Sequence, residues 1–444
     1  MVFSLSNAKE SIDFLKNGFY ASYDFIDQRK YEAVSALFQK EKLFTYEKAF
    51  RCLNTRLSKR YFYDILFFQL TALDYSTAVF PSYVFIMAED LIDDWLATVD
   101  PHKDFARDHN VHQPLTASIA AKLLGYGDSS RALKISLSPG NLLDYCIEKV
   151  LGPRCASFLS YAKDFGLPSC YFCDDKSKAL SKEVWKSLFY QSVILAALFH
   201  DMGYPCQYVH RVDKTLRMID IRKFASESFS ADIARRFKNR LVLFPFQSYC
   251  YPDNQPLFNK EEELNKKIEI ALNNTHGFPG ALSFLSLHDA VKTFPPQSTY
   301  SRVRDFSVEW AALGILMHDM PGIHKKNWPD LRIDFEKDPL SCIISLADYL
   351  EEFNRPYAEF RHSSLNKNNA KLISYKIACE SSSISISKTG IMTIEMSYKD
   401  KRSYALANDF KRTETEDYFN LCNGYLDLSS IGVNRVEFHP KLIK

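Results

Sequence analysis

Six residues of this chain, His112, His200, Asp201, His276, His318 and Asp348, are candidates to ligate transition metals. Imidazoles and carboxylates together suit Mn, Fe, Zn or Co. One Asp shared by two such ions, with two or three further ligands on each side, makes a dinuclear site. Metals about 3.5–4 Å apart clamp a phosphoryl group and lower the pKa of bound water toward about 7. The stretch SVILAALFHDMGYP, 192–205, indicates how the ligands are placed. An apolar helical run ends at adjacent His200 and Asp201, and Gly203 and Pro205 follow as stop signals. The pattern repeats downstream, where VEWAALGILM runs into His318-Asp319 and stops at Pro321-Gly322. NTHGFPGALSFLSL starts a helix with His276 just inside a Gly/Pro turn. DPLSCIISLADYLEEF has Pro in its first turn and Asp348 midway along an otherwise apolar face. Each residue alone also fits a capped helix end or a packed core. The recurrence of His-Asp pairs at matched helix ends is what points to metal. His288-Asp289 lies mid-segment with no stop signal and reads as surface.

The elements that must position these residues read as mainly helical. With 444 residues the chain suggests two or three packed units. Hydrophobic content of 46% and charged content of 25% are those of an ordinary globular protein. Abundant Phe (34) and Tyr (25) beside few Gly (14) fit bulky helical cores. The formal net charge of +2 gives no global pull toward nucleic acid or anionic membrane. No run approaches the roughly 20 apolar residues of a membrane span, and the start MVFSLSNAKESIDF has no basic region or long apolar core. The ten Cys are scattered, and the single CxxC, Cys170 and Cys173, has no second pair to complete a four-thiolate site. Free thiols without an export signal lead us to expect a cytoplasmic protein.

Residues 1–104 read as an N-terminal helical region, with apolar spacing of three and four over 11–25, 30–40, 46–57, 58–73 and 84–96. Glu89, Asp90, Asp93 and Asp94 on the last of these read as a solvated face. Residues 105–360 hold every candidate ligand, with 126–182 as a looser insertion. The basic stretch from Arg211 to Arg240 fits phosphate binding and a solvated helix surface equally. Residues 366–444 read as a small α+β unit. Strands are expected at 372–379, 383–387 and 391–398, a hairpin turn at Lys388-Thr389-Gly390, a helix near 416–428 and an extended segment at 433–439.

The order His … His-Asp … His … His … Asp resembles the HD-domain superfamily of metal-dependent phosphohydrolases, especially its two-metal branch, which includes the HD-GYP cyclic-dinucleotide phosphodiesterases. LAALFHDMGYP is similar to that family's helix carrying the paired His-Asp, HGFPGAL to its His-x-x-x-Gly segment, and ISLADYLEEF to its final Asp helix. LMHDM stands where the family often has His-His-Glu. The resemblance covers about residues 105–356.

It implies an HD helical bundle with two divalent transition metals: Mn, Fe, Co or Zn, with Mg as a further candidate. His112, His200, Asp201 and Asp348 would hold the first; Asp201, as the bridge, with His276 and His318 would hold the second. His109 is the rival to His112, which is favoured because the following helix continues directly from it. The activity implied is hydrolysis of a nucleotide or cyclic nucleotide by a metal-bound hydroxide, with Asp319 or His324 as proton donor. Arg211, Lys214, Lys325 and Arg355, and also Arg304, are candidates for the phosphates. The expected partner is a nucleotide or other phosphorylated small molecule, with no membrane; nucleic acid and oligomerisation stay open. Two positions depart from the family pattern. Tyr204 replaces the Lys that often follows His-Asp-x-Gly, and Met317-His318-Asp319 replaces His-His-Glu. The alternatives are a mixed-valent di-iron oxygenase of HD type, or a catalytically degenerate HD sensor or interaction module using the C-terminal unit as its partner surface.

Overall fold

The computed structural model describes residues 3–5, 109–125, 133, 141–150, 177–218, 232, 261–291, 299–319, 332–351, 353–363, 366–420 and 424–443. The helices expected over 11–96 and the Cys170/Cys173 pair lie outside them. In chain order the elements are β1 (Phe3–Leu5), α1 (His109–Leu124), α2 (Leu142–Val150), α3 (Ser177–Phe199), α4 (Tyr204–Met218), α5 (Glu261–Asn274), α6 (Gly277–Val291) and α7 (Thr299–Met317). Then come β2 (Ile333–Asp334), α8 (Pro339–Leu350), β3 (Phe353–Ser363), β4 (Asn366–Ile386), β5 (Ile391–Tyr398), α9 (Lys401–Phe419), β6 (Leu426–Asp427), a 3-10 turn (Ser429–Ile431) and β7 (Arg435–Leu442). Helix takes 64% of the described residues, which are mainly helical as the composition implies. No described helix is long and apolar enough to cross a membrane.

The chain packs as two compact units, one of Met1–Ser136, Ala347–Glu416 and Val433–Lys444, the other of Leu137–Leu346 and Asp417–Gly432. In the second unit α3 packs on α7, α7 on α6, and α4 on α5 and α6. Residues 188–199 of α3 and 307–317 of α7 are buried on every side, as apolar all-round helices at the centre of a core must be. Phe189 and Trp310 meet edge to face between them, centroids 5.3 Å apart. Gly314 lets α7 come close: a Cβ there would stand 2.4 Å from Leu340 and 3.1 Å from Ala196. Asp338 caps α8 by accepting the Ser341 N–H at 3.1 Å, and Pro339 occupies its first turn. The short parallel pair β2–β6 returns the chain to this unit, where the Tyr425 hydroxyl donates to the Met317 carbonyl at the end of α7.

The first unit holds a five-stranded sheet in the order β1-β4-β5-β7, with β3 also on β4. The 21-residue β4 pairs antiparallel with β3 through its first part and with β5 through its last. β5 and β7 are parallel, which requires a crossover, and α9 supplies it. β5 forms over the expected residues with Met392, Ile394, Met396 and Tyr398 buried on one face, and Gly390 takes φ 81° in the expected turn.

The helix expected near 416–428 is corrected: it spans 401–419, and 426–427 are strand. Its buried stripe is Ser403, Ala407, Lys411, Thr415 and Phe419, spaced by four but mostly polar, so a hydropathy pattern does not register it. Hydrogen bonds replace apolar contact. Lys411 Nζ donates to the Tyr349 carbonyl at 2.8 Å, and the Tyr349 and Thr415 hydroxyls meet at 2.6 Å.

Candidate metal centre

His200 and His318 each stand one residue past the end of a buried helix, where the last carbonyls lack a helical partner. The structure uses those carbonyls. His200 Nδ1 lies 2.8 Å from Ala197 O, and His318 Nδ1 lies 2.7 Å from Ile315 O. A carbonyl oxygen only accepts, so Nδ1 carries the proton in both rings and each neutral ring offers the Nε2 lone pair on its other side. This is the support that metal-binding imidazoles usually have. His276 sits between α5 and α6, and its support is a carboxylate. Asp319 Oδ2 accepts the backbone N–H of His276 at 2.7 Å and faces its Nδ1 at 2.7 Å.

The three Nε2 atoms converge on Asp201. His276 Nε2 is 2.9 Å from Asp201 Oδ1, and His200 Nε2 is 3.4 Å from the same oxygen. His276 Nε2 and His318 Nε2 are 3.0 Å apart. Two neutral imidazoles with both lone pairs at that distance repel; a proton or a metal ion between them removes the conflict. One ligand atom each from Asp201, His276 and His318 lies within 4.8 Å of the others, a group that could hold a metal ion. All four residues are buried: His200 at 0%, His318 at 1%, Asp201 at 3% and His276 at 9% exposure. Burial opposes a charge on His276, but Asp319 and Asp201 outweigh it and push its pKa up to about 10 in the metal-free protein. Burial would raise the Asp319 carboxyl, but His276 holds it below the usual carboxylate range.

Glycine sets the register of this centre. A Cβ on Gly203 would fall 1.8 Å from His276 O and 2.5 Å from Gly280 N. A Cβ on Gly277 would fall 2.5 Å from Ile315 O, the carbonyl that fixes His318. The segments carrying Asp201, His276 and His318 therefore touch backbone to backbone. Gly203 and Pro205 are not the end of regular structure, since α4 starts at Tyr204. The Tyr204 ring stacks on His276 at 4.0 Å and 16°.

In the first unit, His112 Nε2 is 2.8 Å from Asp348 Oδ1, and His112 Nδ1 is 2.5 Å from Glu351 Oε2. Glu351, 1% exposed, is a residue that sequence reasoning missed. Its signal was the spacing of three from Asp348 within LADYLEEF. Of the phosphate candidates, Arg211 and Lys214 lie on α4 and Arg355 on β3. Lys214 is exposed, with its ammonium 3.4 Å from Asn273 Oδ1. Arg304 lies on α7 and His109 opens α1. His324 and Lys325 lie outside the described residues. His288 is corrected from surface to buried, at 8% exposure: it lies on α6, which packs against α4, α5 and α7, so a stop signal was not the relevant criterion.

No protein-family model, curated protein or solved structure matches this chain.

Proposed function

We propose that this chain is a metal-dependent hydrolase of phosphate esters, of HD type, acting on a nucleotide or cyclic nucleotide. The observation that carries the reading is the convergence of three imidazole Nε2 atoms on Asp201, each ring backed at Nδ1 by an acceptor. A dry cluster of this kind costs folding energy unless a cation repays it, and N/O donors of this type suit Mn, Fe, Co or Zn. Held there, divalent metals would supply Lewis-acid stabilisation of a phosphoryl oxygen and a water of pKa near 7.

The chain's own residues divide the remaining work. Asp201 would be the shared carboxylate, with His276, His318 and His200 as the imidazole ligands beside it. The assignment of His112 and Asp348 to the His200 set rests on the motif order alone. Asp319 takes the role of orienting His276 rather than donating a proton: its carboxyl is held ionised and one oxygen already faces two His276 nitrogens. Tyr204 lays an aromatic face on His276 where the family pattern has a cation.

The test is elemental analysis of wild type and Asp201→Ala, followed by turnover of a phosphodiester chromogen and of nucleotides, with and without chelator and with and without oxygen. Bound transition metal, lost in the variant together with chelator-sensitive hydrolysis, is the expected result. Turnover only in the presence of oxygen would transfer the site to the di-iron oxygenase reading. No metal uptake by wild type on reconstitution would overturn the proposal and leave the interaction-module reading.

A further inference from the structure

Glu351 stands one residue past the end of α8, almost fully buried. Its N–H continues the last turn, reaching Ala347 O at 3.1 Å and Asp348 O at 3.2 Å. A carboxylate is disfavoured there twice over. It is out of water, and it lies at the negative end of the helix dipole. Helix spacing explains how the position is used. Asp348 and Glu351 are three apart and therefore neighbours on one face. Together they grip both nitrogens of one buried ring, Asp348 at His112 Nε2 and Glu351 at His112 Nδ1.

Both ring nitrogens of His112 thus face a carboxylate. An ion pair built for stability needs only one of the two acids. A second carboxylate on the same ring fixes its orientation and which nitrogen carries the proton, the support that metal-binding imidazoles usually have.

We propose that Glu351 is a positioning residue that accepts the Nδ1 proton of His112 and so presents His112 Nε2 and Asp348 together as a ligand pair for a divalent cation. The proposal rests on the metal-site reading above and adds a residue that the motif order does not assign. The arrangement parallels Asp319 behind His276, so carboxylates back two of the imidazoles and helix-end carbonyls back the other two.

The experiment titrates Co(II) into the chelator-stripped full-length protein and follows its visible absorption. Wild type, Glu351→Gln, His112→Gln and the double variant are compared, each with a melting curve of the metal-free form. Glu351→Gln keeps the shape and an acceptor oxygen. It is expected to weaken Co(II) at one site by about 10–100-fold, the usual effect of losing an outer carboxylate. Adding it to His112→Gln is expected to cost nothing further, because Glu351 acts through that ring. Equal Co(II) affinity in wild type and Glu351→Gln, even with a lowered melting temperature, would overturn this inference and leave the metal reading intact. No Co(II) uptake by wild type would overturn the metal reading, and this inference with it.

Discussion

Gly203→Ala is the smallest change that tests whether backbone contact sets the metal centre. The added Cβ would start 1.8 Å from His276 O, where ordinary contact begins at 3.4 Å, so the two segments must part by about 1.6 Å. Neither obstacle is a flexible side chain. One is the His276 carbonyl, which already accepts the Gly280 N–H at 2.9 Å, and the other is Gly280 N itself. The displacement therefore passes to the His276 backbone and its ring. Metal sites tolerate only about 0.2 Å in ligand distance, so even a quarter of that movement would spoil the 2.9 Å and 3.0 Å spacings of His276 Nε2 from Asp201 and His318. Overpacking of this kind costs about 1–3 kcal/mol. The expected result is a melting temperature lower by several degrees and metal affinity lower by about 100-fold or more. The assays are thermal unfolding of the metal-free protein and Co(II) titration. Wild-type values for both would refute the claim that contact at Gly203 holds His276 in place.

Two further perturbations address single interactions. Asp319→Asn removes the carboxylate behind His276 and should weaken Co(II) binding by about 10–100-fold without unfolding the chain. The same variant should change the pH dependence of the metal-free protein. The His276 pKa is raised to about 10, so its stabilising contribution is complete below the unfolded value near 6.5 and fades as pH rises toward 10. Differential scanning fluorimetry from pH 6 to 10 should show that decline in wild type and a flatter profile in Asp319→Asn. Asp400→Ala removes the cap of α9, in which Asp400 Oδ1 accepts the Ser403 N–H at 2.8 Å. The expected cost is about 1 kcal/mol, with Co(II) binding unchanged. The hydrogen bonds from Ser403 hold the Asp400 carboxyl below its usual range, so this contribution is present above about pH 4 and disappears as pH falls through the folded value.

The central helices were legible because their chemistry is local. Apolar runs that end in His-Asp identify α3 and α7, and Asp338-Pro339 marks the start of α8. Strand β5 was legible from its alternation, which the buried face at 392, 394, 396 and 398 follows. Helix α9 was not, because its inward stripe contains Ser403, Lys411 and Thr415, whose burial is supported by partners such as Tyr349, distant in sequence. Burial of His288 was hidden for a related reason: it depends on how α4, α5 and α7 pack against α6.

Residue type and order determined which side chains were candidate ligands and that His200 and His318 would stand at helix ends with unpaired carbonyls in reach. Those facts follow from the chain within a turn or two of each residue. Tertiary structure alone decided that Asp201, His276 and His318 meet, that Asp319 backs His276, that Glu351 backs His112, and that Gly203 is needed for closeness. Each of these joins residues distant in sequence, with separations of 42 to 239 positions where a hydrogen bond makes the join. Which of many such pairings forms depends on how whole helices pack, and that information is not carried by any single stretch.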